Sequence, residues 1–270
     1  MSTDLQSCYR HPDRPTRLSC SECGRPVCPA CSIDAPVGQK CRECAKADGR
    51  FKVVNVRRSR SLGLKGSPAS TVILVLSVGL AVASLERTLN FELFGRFATF
   101  IAAVEAGEWW RLFTGAFLHG GLLHIGFNMW ALYQLGPRIE TQAGSGAFVA
   151  LYLACAGAGG AAFVFLQGSK VVAVGASGAI FGLFGIWLHQ GIRARKSFFG
   201  QIMLGQLGYA LLINLALPLI FPNIAWSAHL GGLAAGYGIS AIWSKLRGTQ
   251  AQRVAVAGAV AALSVVLVLL

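Results

Sequence analysis

The chain has 270 residues, of which 54% are hydrophobic and 13% charged, and it carries a net charge of +13 and a mean hydropathy of +0.56. Soluble domains contain about 25% charged residues, so this composition excludes an ordinary soluble protein and predicts a polytopic membrane protein. Its basic residues cluster beside apolar runs, as in Arg193 to Lys196, which the positive-inside bias and anionic lipid explain. Nucleic-acid binding is therefore not expected.

The first 48 residues form a polar, cysteine-rich unit, and we expect no cleavable signal peptide there. Thiolate and imidazole pairs at this spacing can turn around a tetrahedral ion, so the unit predicts two structural Zn(II) ions; a disulfide framework is the alternative, less suited to a cytosolic compartment. The spacing leaves open whether the first and third pairs share an ion, as in a cross-brace, or whether consecutive pairs do. The candidate ligand pairs are Cys8 and His11, Cys20 and Cys23, Cys28 and Cys31, and Cys41 and Cys44.

A basic linker over residues 49–68 follows and leads into seven apolar segments. A helix needs about 20 apolar residues to cross a bilayer, and the segments approach that length. If the N-terminus is cytoplasmic, the basic loops lie inside, except that the long outer connection near 90–114 also holds two arginines. The fold class predicted is an all-α membrane protein, with segments at about 69–89, 115–136, 146–167, 175–192, 200–220, 225–244 and 253–270.

A serine and a histidine stand out within these segments. Ser177 lies near the start of the fourth segment and His229 near the start of the sixth; both segments run from outside to inside, so the two residues share one depth. A histidine at membrane depth is costly and indicates function. No aspartate follows Asp48, so the pair predicts a nucleophile and a general base without an acidic third member. Glycines beside both residues favour close approach of the two helices.

The second segment adds polar residues at the same depth. His124 and Asn128 lie one helical turn apart and could donate hydrogen bonds to an oxyanion, together with the backbone N–H of Ser177. Phe181, one turn after the serine, is placed to stack on His229. The rival interpretation is a metal site of His119, His124 and His229; it lacks a nearby carboxylate, and a spacing of five residues does not align His119 with His124.

Over about residues 69–245 the chain resembles the rhomboid intramembrane serine proteases. The resemblance rests on four motifs in order: Trp110-Arg111, His119-x4-His124-x3-Asn128, Gly175-x-Ser177-Gly178 and Ala228-His229-x-Gly231-Gly232-x3-Gly236. It implies a six-helix bundle at 69–245 with one further helix at 246–270. The zinc-binding module at 1–48 separately resembles B-box-type fingers.

The resemblance also implies roles for individual residues. Ser177 would be the nucleophile, His229 the general base, and His124 with Asn128 the oxyanion hole. Structural roles near the site would fall to Trp110, Arg111, His119, Glu140, Phe181, Gly175 and Gly178. Many family members carry tyrosine where this chain has Phe181.

The predicted function is therefore an intramembrane serine endopeptidase that cuts single-pass transmembrane proteins and needs no cofactor for catalysis. We expect a multi-pass protein of the plasma membrane, with a cytoplasmic N-terminus and a site opening to the outer face. The alternatives are a catalytically silent protein that binds membrane clients and a small transporter. For the zinc module, partner binding, stability and regulation are all left open.

Overall fold

A computed structural model describes residues 5–34, 39–47, 66–167, 171–220, 225–246 and 249–270. The chain divides into two compact units, Met1–Ser59 and Arg60–Leu270. Most of the predicted linker, and the loop residues 168–170, 221–224 and 247–248, lie outside the described residues.

The N-terminal unit contains very little regular structure. Strands β1 (Gln6–Cys8) and β2 (His11–Thr16) pair antiparallel, and so do β3 (Ile33–Asp34) and β4 (Gln39–Lys40), before helix α1 (Arg42–Ala47). Its buried core consists of five cysteines and Val27. A unit of this size buries little apolar surface, so its hydrophobic core alone contributes little stability.

The second unit is helical. Its first part holds α2 (Pro68–Ala83), α3 (Arg87–Phe97), β5 (Thr99–Phe100), α4 (Ile101–Glu105) and α5 (Arg111–Thr114). The long helices follow: α6 (Leu122–Ala143), α7 (Ser145–Leu166), α8 (Ser177–Arg193), α9 (Phe198–Ile220), α10 (Trp226–Lys245) and α11 (Gln250–Leu269), with β6 (Val172–Ala173) before α8. Among the described residues, two of these helices, α7 and α11, have the length and apolar composition needed to cross a membrane.

Each of the seven predicted apolar segments overlaps one of these helices, but several bounds differ. Helix α2 ends at Ala83 rather than near residue 89, and α6 ends at Ala143 rather than near residue 136. The second segment was expected to begin at residue 115, whereas α6 begins at Leu122. A 3₁₀ turn at Gly115–Phe117 precedes it, and Gly121 has φ +156°, so the backbone is extended before the helix starts. The connection expected at 90–114 is also not a plain loop, since it contains α3, α4, α5 and β5.

The core is built around the parallel pair α8 and α10. Glycines let the two backbones meet: a Cβ on Gly232 would overlap the carbonyl oxygen of Gly178, and one on Gly236 would overlap that of Gly182. Helix α7 packs on both members of the pair and α11 packs on α7. Close backbone approach through small residues is a common basis of helix association in membranes. This packing fixes the N-terminal ends of α8 and α10 side by side.

A buried carboxylate on α6 joins this helix to the start of α2. Glu140, near the end of α6, is 2% exposed and accepts hydrogen bonds from the backbone N–H groups of Ala69 and Ser70 at 2.9 and 2.8 Å. The hydroxyls of Ser70 and Ser145 donate to it as well, at 2.7 and 2.6 Å. Its negative charge thus lies at the N-terminus of α2, where the helix dipole and the unpaired N–H groups favour an anion.

Candidate active site

Ser177 and His229 meet at the N-terminal ends of α8 and α10. Ser177 is the first residue of α8 and His229 lies in the first turn of α10, and the histidine Nε2 is 2.9 Å from the serine Oγ. Both side chains are partly exposed at the protein surface. A serine hydroxyl and an imidazole at this distance form the hydrogen bond along which a proton is removed from a nucleophile.

The imidazole of His229 is held by a ring rather than by a carboxylate. Phe181 stacks on it with ring centroids 4.2 Å apart and planes 8° from parallel. Phe181 lies one turn after Ser177 on the same face of α8, so one helix positions both neighbours of the histidine. The edge of Phe184 contacts Phe181 in turn.

The turn before Ser177 requires glycine at position 175. Gly175 has φ +118°, and a Cβ there would lie 2.5 Å from the ring of His124. Its N–H donates to the carbonyl of Gly115 at 2.9 Å, and nearby β6 pairs with β5. The segment that delivers Ser177 is therefore tied to the connection between α2 and α6.

Hydrogen-bond donors without protein partners converge beside this turn. Asn128 is 6% exposed, and its Nδ2 has no hydrogen-bond partner among the described residues. The N–H of Ser177 lies at the start of α8, where a helix supplies no carbonyl partner. His124 and Asn128 both lie close to Gly175, because a Cβ on that glycine would be 2.5 Å from the His124 ring and 3.6 Å from the Asn128 Nδ2. Buried, unpaired donors of this kind suit a charge that forms only during a reaction.

His119 lies in the extended segment before α6, not within the helix. Its Nε2 accepts a long hydrogen bond from the N–H of Ala176 at 3.5 Å, and its ring meets that of His124 edge-on at 5.3 Å. His119 therefore contacts the turn that precedes Ser177. The rival metal site of three histidines is not formed in the described part of the chain, where clusters of three or more potential ligands occur only in the N-terminal unit.

Trp110 and Arg111 lie in the connection between α2 and α6, and Arg111 braces it. Arg111 is 5% exposed; its guanidinium pairs with Glu108 at 2.6 Å and donates to the carbonyls of Ala98 and Gly95. Thr99 donates to the carbonyl of Arg111 at 2.8 Å. Trp110 stays partly exposed and touches Trp109 edge-on. A buried arginine that binds two carbonyls and a carboxylate fixes the loop that carries β5.

Two supporting contacts were not predicted. Gly159 of α7 fits against the Ala228 carbonyl oxygen and the Cα of Gly178, so three helices meet directly behind the serine. A second histidine–serine pair, His189 and Ser240, lies at the other ends of α8 and α10 with Nδ1 2.9 Å from Oγ. Sequence spacing held a signal for this pair, because His189 and Ser240 follow Ser177 and His229 by almost the same number of residues.

The metal-ligand candidates form two groups in the N-terminal unit: Cys8, His11, Cys28 and Cys31, and Cys20, Cys23, Cys41 and Cys44. The first and third pairs thus share one group, and the second and fourth the other. The His11 Nδ1 lies 3.3–3.8 Å from three sulfurs, and the sulfurs of Cys23 and Cys41 are 3.7 Å apart. Tetrahedral zinc with Zn–S of about 2.3 Å places its sulfurs about 3.8 Å apart, so both groups fit the ion. Burial, together with the thiols of Cys28 and Cys8, raises the pKa of the Cys31 thiol to about 11.

The fold and the site define a helical membrane protein with a hydrogen-bonded serine and histidine on adjacent parallel helices. The Rhomboid domain model matches residues 106–246, from the turn before α5 to the end of α10. The chain belongs to the rhomboid family.

Two of the relatives carry protease names, and a third is named as rhomboid-like. The chain is 41% identical over 135 residues to "Rhomboid protease GluP" of Bacillus subtilis (strain 168), covering 50% of this chain and 26% of GluP. It is 36% identical over 141 residues to "Putative rhomboid protease YdcA" of the same organism, covering 51% of this chain and 68% of YdcA. "RHOMBOID-like protein 5" of Arabidopsis thaliana is 39% identical over 138 residues, covering 50% of this chain and 44% of the relative. The aligned part thus spans about a quarter of GluP, two thirds of YdcA and under half of the plant protein.

Proposed function

We propose that this protein is an intramembrane serine endopeptidase with a Ser177–His229 dyad. The observation that carries the proposal is the 2.9 Å contact between the His229 Nε2 and the Ser177 Oγ. It gains support from the unpaired Asn128 amide beside it and from the family to which the chain belongs.

In this mechanism the Ser177 Oγ attacks the carbonyl carbon of the scissile peptide while the His229 Nε2 takes its proton. The carbonyl oxygen becomes an oxyanion, which accepts hydrogen bonds from the Asn128 Nδ2, the His124 ring and the Ser177 N–H. Collapse of this intermediate breaks the C–N bond, and His229 returns the proton to the leaving amine. Water, activated by the same histidine, then hydrolyses the acyl-enzyme and frees Ser177.

The dyad needs no aspartate if the ring of His229 is oriented by packing. The parallel stack with Phe181 supplies that orientation without placing a charge in an apolar site. An ionised aspartate there would need full hydrogen bonding and charge compensation. We therefore assign no metal or cofactor to the catalytic step.

The substrate class we propose is a single-pass transmembrane protein, cut in or beside its membrane segment after partial unwinding. We also propose a plasma-membrane protein with a cytoplasmic N-terminus and a site opening to the outer face. Arg138, Arg193 and Lys245, at the C-terminal ends of α6, α8 and α10, support this orientation because they share the end opposite Ser177.

The test is cleavage of a model transmembrane substrate by the reconstituted full chain. Ser177→Ala and His229→Ala should each abolish product, since each removes one half of the proton transfer. Ser227→Ala is the matched control: this buried serine lies two residues before His229 and bonds Gln167 at 3.2 Å, away from the dyad. Wild-type cleavage by Ser177→Ala would disprove the dyad.

The second candidate is a protein that binds membrane clients without cutting them. The same assay distinguishes the two functions. If the wild-type protein only binds clients, it should retain the substrate in a pull-down and release no cleavage product. The intact contact between Ser177 and His229 favours the protease.

For the N-terminal unit we propose a B-box-like module over residues 1–48 with two structural zinc ions in a cross-brace. The module precedes a linker at 49–68, a protease core at 69–245 and the appended helix at 246–270. The two ligand groups support this pairing. Zinc there would tie the short strands together and contribute most of the stability of the unit.

Alkylation of the Cys28→Ser/Cys31→Ser variant tests the pairing. A cross-brace leaves the second and fourth pairs protected by zinc and exposes Cys8 to the reagent. Sequential pairing would instead protect Cys8 and expose Cys41 and Cys44. Metal analysis of the full-length wild type should give two zinc ions per chain; fewer would contradict the two-site proposal.

A further inference from the structure

A cavity open to the outside lies at the end of the core opposite Ser177. It has a volume of about 320 Å³ and is lined by the C-terminal parts of α6, α8 and α10 and by the first turn of α11. That volume is at the lower end of the roughly 300–1,000 Å³ typical of small-molecule pockets. Two arginines, Arg193 and Arg253, stand on its wall.

The cavity is positively charged and its arginines have spare donors. Arg193 donates through one nitrogen to Ser244 at 2.8 Å, and Arg253 donates through one nitrogen to the carbonyls of Gln142 and Ala143. A guanidinium has five N–H groups, so several on each residue have no protein partner among the described residues. The described residues that line the cavity include no carboxylate.

The rest of the wall is neutral and already satisfied. His189 and Ser240 bond each other at 2.9 Å, and His189 is 8% exposed. Trp243 lies under the guanidinium of Arg253 at 5.9 Å and donates its Nε1–H to the Arg253 carbonyl at 3.2 Å. These contacts hold Arg253 in place before any ligand arrives, which lowers the entropic cost of binding.

The partial negative charge of the helix ends does not cancel this field. The terminal carbonyls of α6 carry such a charge, but Arg253 is hydrogen-bonded to them. The C-terminal ends of α8 and α10 and the N-terminal end of α11 also lie around the cavity, and at about half a charge each the four helix ends sum to about −1. The two arginines outweigh this, so the cavity keeps a net positive charge.

We propose that this cavity binds a phosphate group. Paired guanidinium forks match the oxygens of phosphate, and basic pockets between membrane helices at the cytoplasmic surface bind anionic headgroups. The shared chemistry is a phosphate mono- or diester, either in a lipid headgroup or in a soluble molecule. Arg253 belongs to α11, beyond the residues that match the Rhomboid domain, so the cavity depends on the appended helix.

The test uses the purified full chain in a non-ionic detergent with three probes: short-chain phosphatidylglycerol, short-chain phosphatidylcholine and glycerol 1-phosphate. The unfolding midpoint is followed against the concentration of each probe, since a ligand of the folded state raises it. Phosphatidylglycerol should bind at least about tenfold more tightly than phosphatidylcholine. If glycerol 1-phosphate equals it, the ligand is a soluble ester; if only the lipid binds, it is a headgroup.

The variants locate the effect. Arg193→Gln/Arg253→Gln should weaken phosphatidylglycerol binding at least about tenfold. Gln190→Glu should do the same without removing any arginine contact, because it places a carboxylate in the cavity; it decides the matter if the arginine variant fails to fold. Arg138→Gln is the control, since Arg138 lies over Trp187 outside the cavity and should change binding less than twofold.

Two results would overturn the proposal. One is a wild type that does not distinguish phosphatidylglycerol from phosphatidylcholine and ignores glycerol 1-phosphate. The other is an equal loss of binding in Arg138→Gln, which would show general surface charge rather than a site.

Discussion

The helix pair α8 and α10 carries a serine–histidine hydrogen bond of 2.9 Å at each end. At one end the serine belongs to α8 and the histidine to α10, and at the other end the residues are exchanged. The pairs lie about 12 residues apart along α8, or about 18 Å.

The two ends differ in what surrounds the hydrogen bond. Ser177 lies beside an unpaired, buried amide and is partly exposed, whereas Ser240 is buried against a charged cavity. His229 is stacked face to face with Phe181, whereas His189 meets Tyr237 edge-on. A serine–histidine contact alone is therefore not enough to define a nucleophile; the two ends differ in the burial of the serine and in the unpaired, buried Asn128 amide beside Ser177.

Among the variants that test the difference between the two serine–histidine pairs, the largest effect on catalysis is expected from removing the Asn128 amide. Asn128→Ala should lower kcat about 10²–10³-fold, the usual cost of losing one oxyanion donor, with KM little changed. Initial cleavage rates over a range of substrate mole fractions measure this. Asn214→Ala is the control, because the Asn214 amide bonds the Ala210 carbonyl of its own helix at 2.8 Å. A change confined to KM would show that Asn128 positions substrate instead.

A smaller effect is expected from a substitution that pushes α8 and α10 apart, because both serine–histidine pairs depend on the contact between these two helices. In Gly236→Ala the new Cβ would overlap the Gly182 carbonyl oxygen, and such overpacking costs about 1–3 kcal/mol. The unfolding midpoint should fall, together with cleavage and phosphate binding. Gly238→Ala on the same helix meets open space and should leave the midpoint unchanged or raise it. If Gly236→Ala lost one activity and kept the other, the two ends would not depend on one packing.

The smallest effect concerns the aromatic neighbours of the two histidines. Phe181→Leu removes a stack worth about 0.5–1.5 kcal/mol, so cleavage should fall about 2–10-fold, while Phe181→Tyr should stay near wild type. Tyr237→Leu, next to His189, should alter cleavage less than Phe181→Leu does. Relative cleavage rates at saturating substrate compare the three. A larger loss in Tyr237→Leu would mean that the stack does not orient His229.

Much of the site was predictable because it depends on depth and helical spacing. Ser177, His229, Phe181 and Asn128 occupy neighbouring positions because the topology and the i, i+4 relation bring them there. Their roles in catalysis remain predictions. Membership of the rhomboid family is confirmed.

Other features could not be read from the sequence, for physical reasons. The predicted start of α6 was wrong by several residues. The apolar composition continues through the turn and the extended segment at Gly121 that precede the helix, so composition does not show where the helix begins. The pairing of the zinc ligands was left open because spacing within pairs says nothing about which pairs fold together. The cavity was missed because Arg193 and Arg253 look like ordinary flanking charges until four helix ends meet around them.

Glu140 has a consequence for the order in which the chain assembles during synthesis. Its carboxylate binds N–H groups 70 and 71 residues earlier in the chain, so α2 leaves the ribosome long before the group that caps it. Arg253 likewise binds the end of α6 from 110 and 111 residues further on. Helix α2 must therefore wait with water at its N-terminus until α6 has been made, and the end of α6 gains its contact with Arg253 only once α11 has been made.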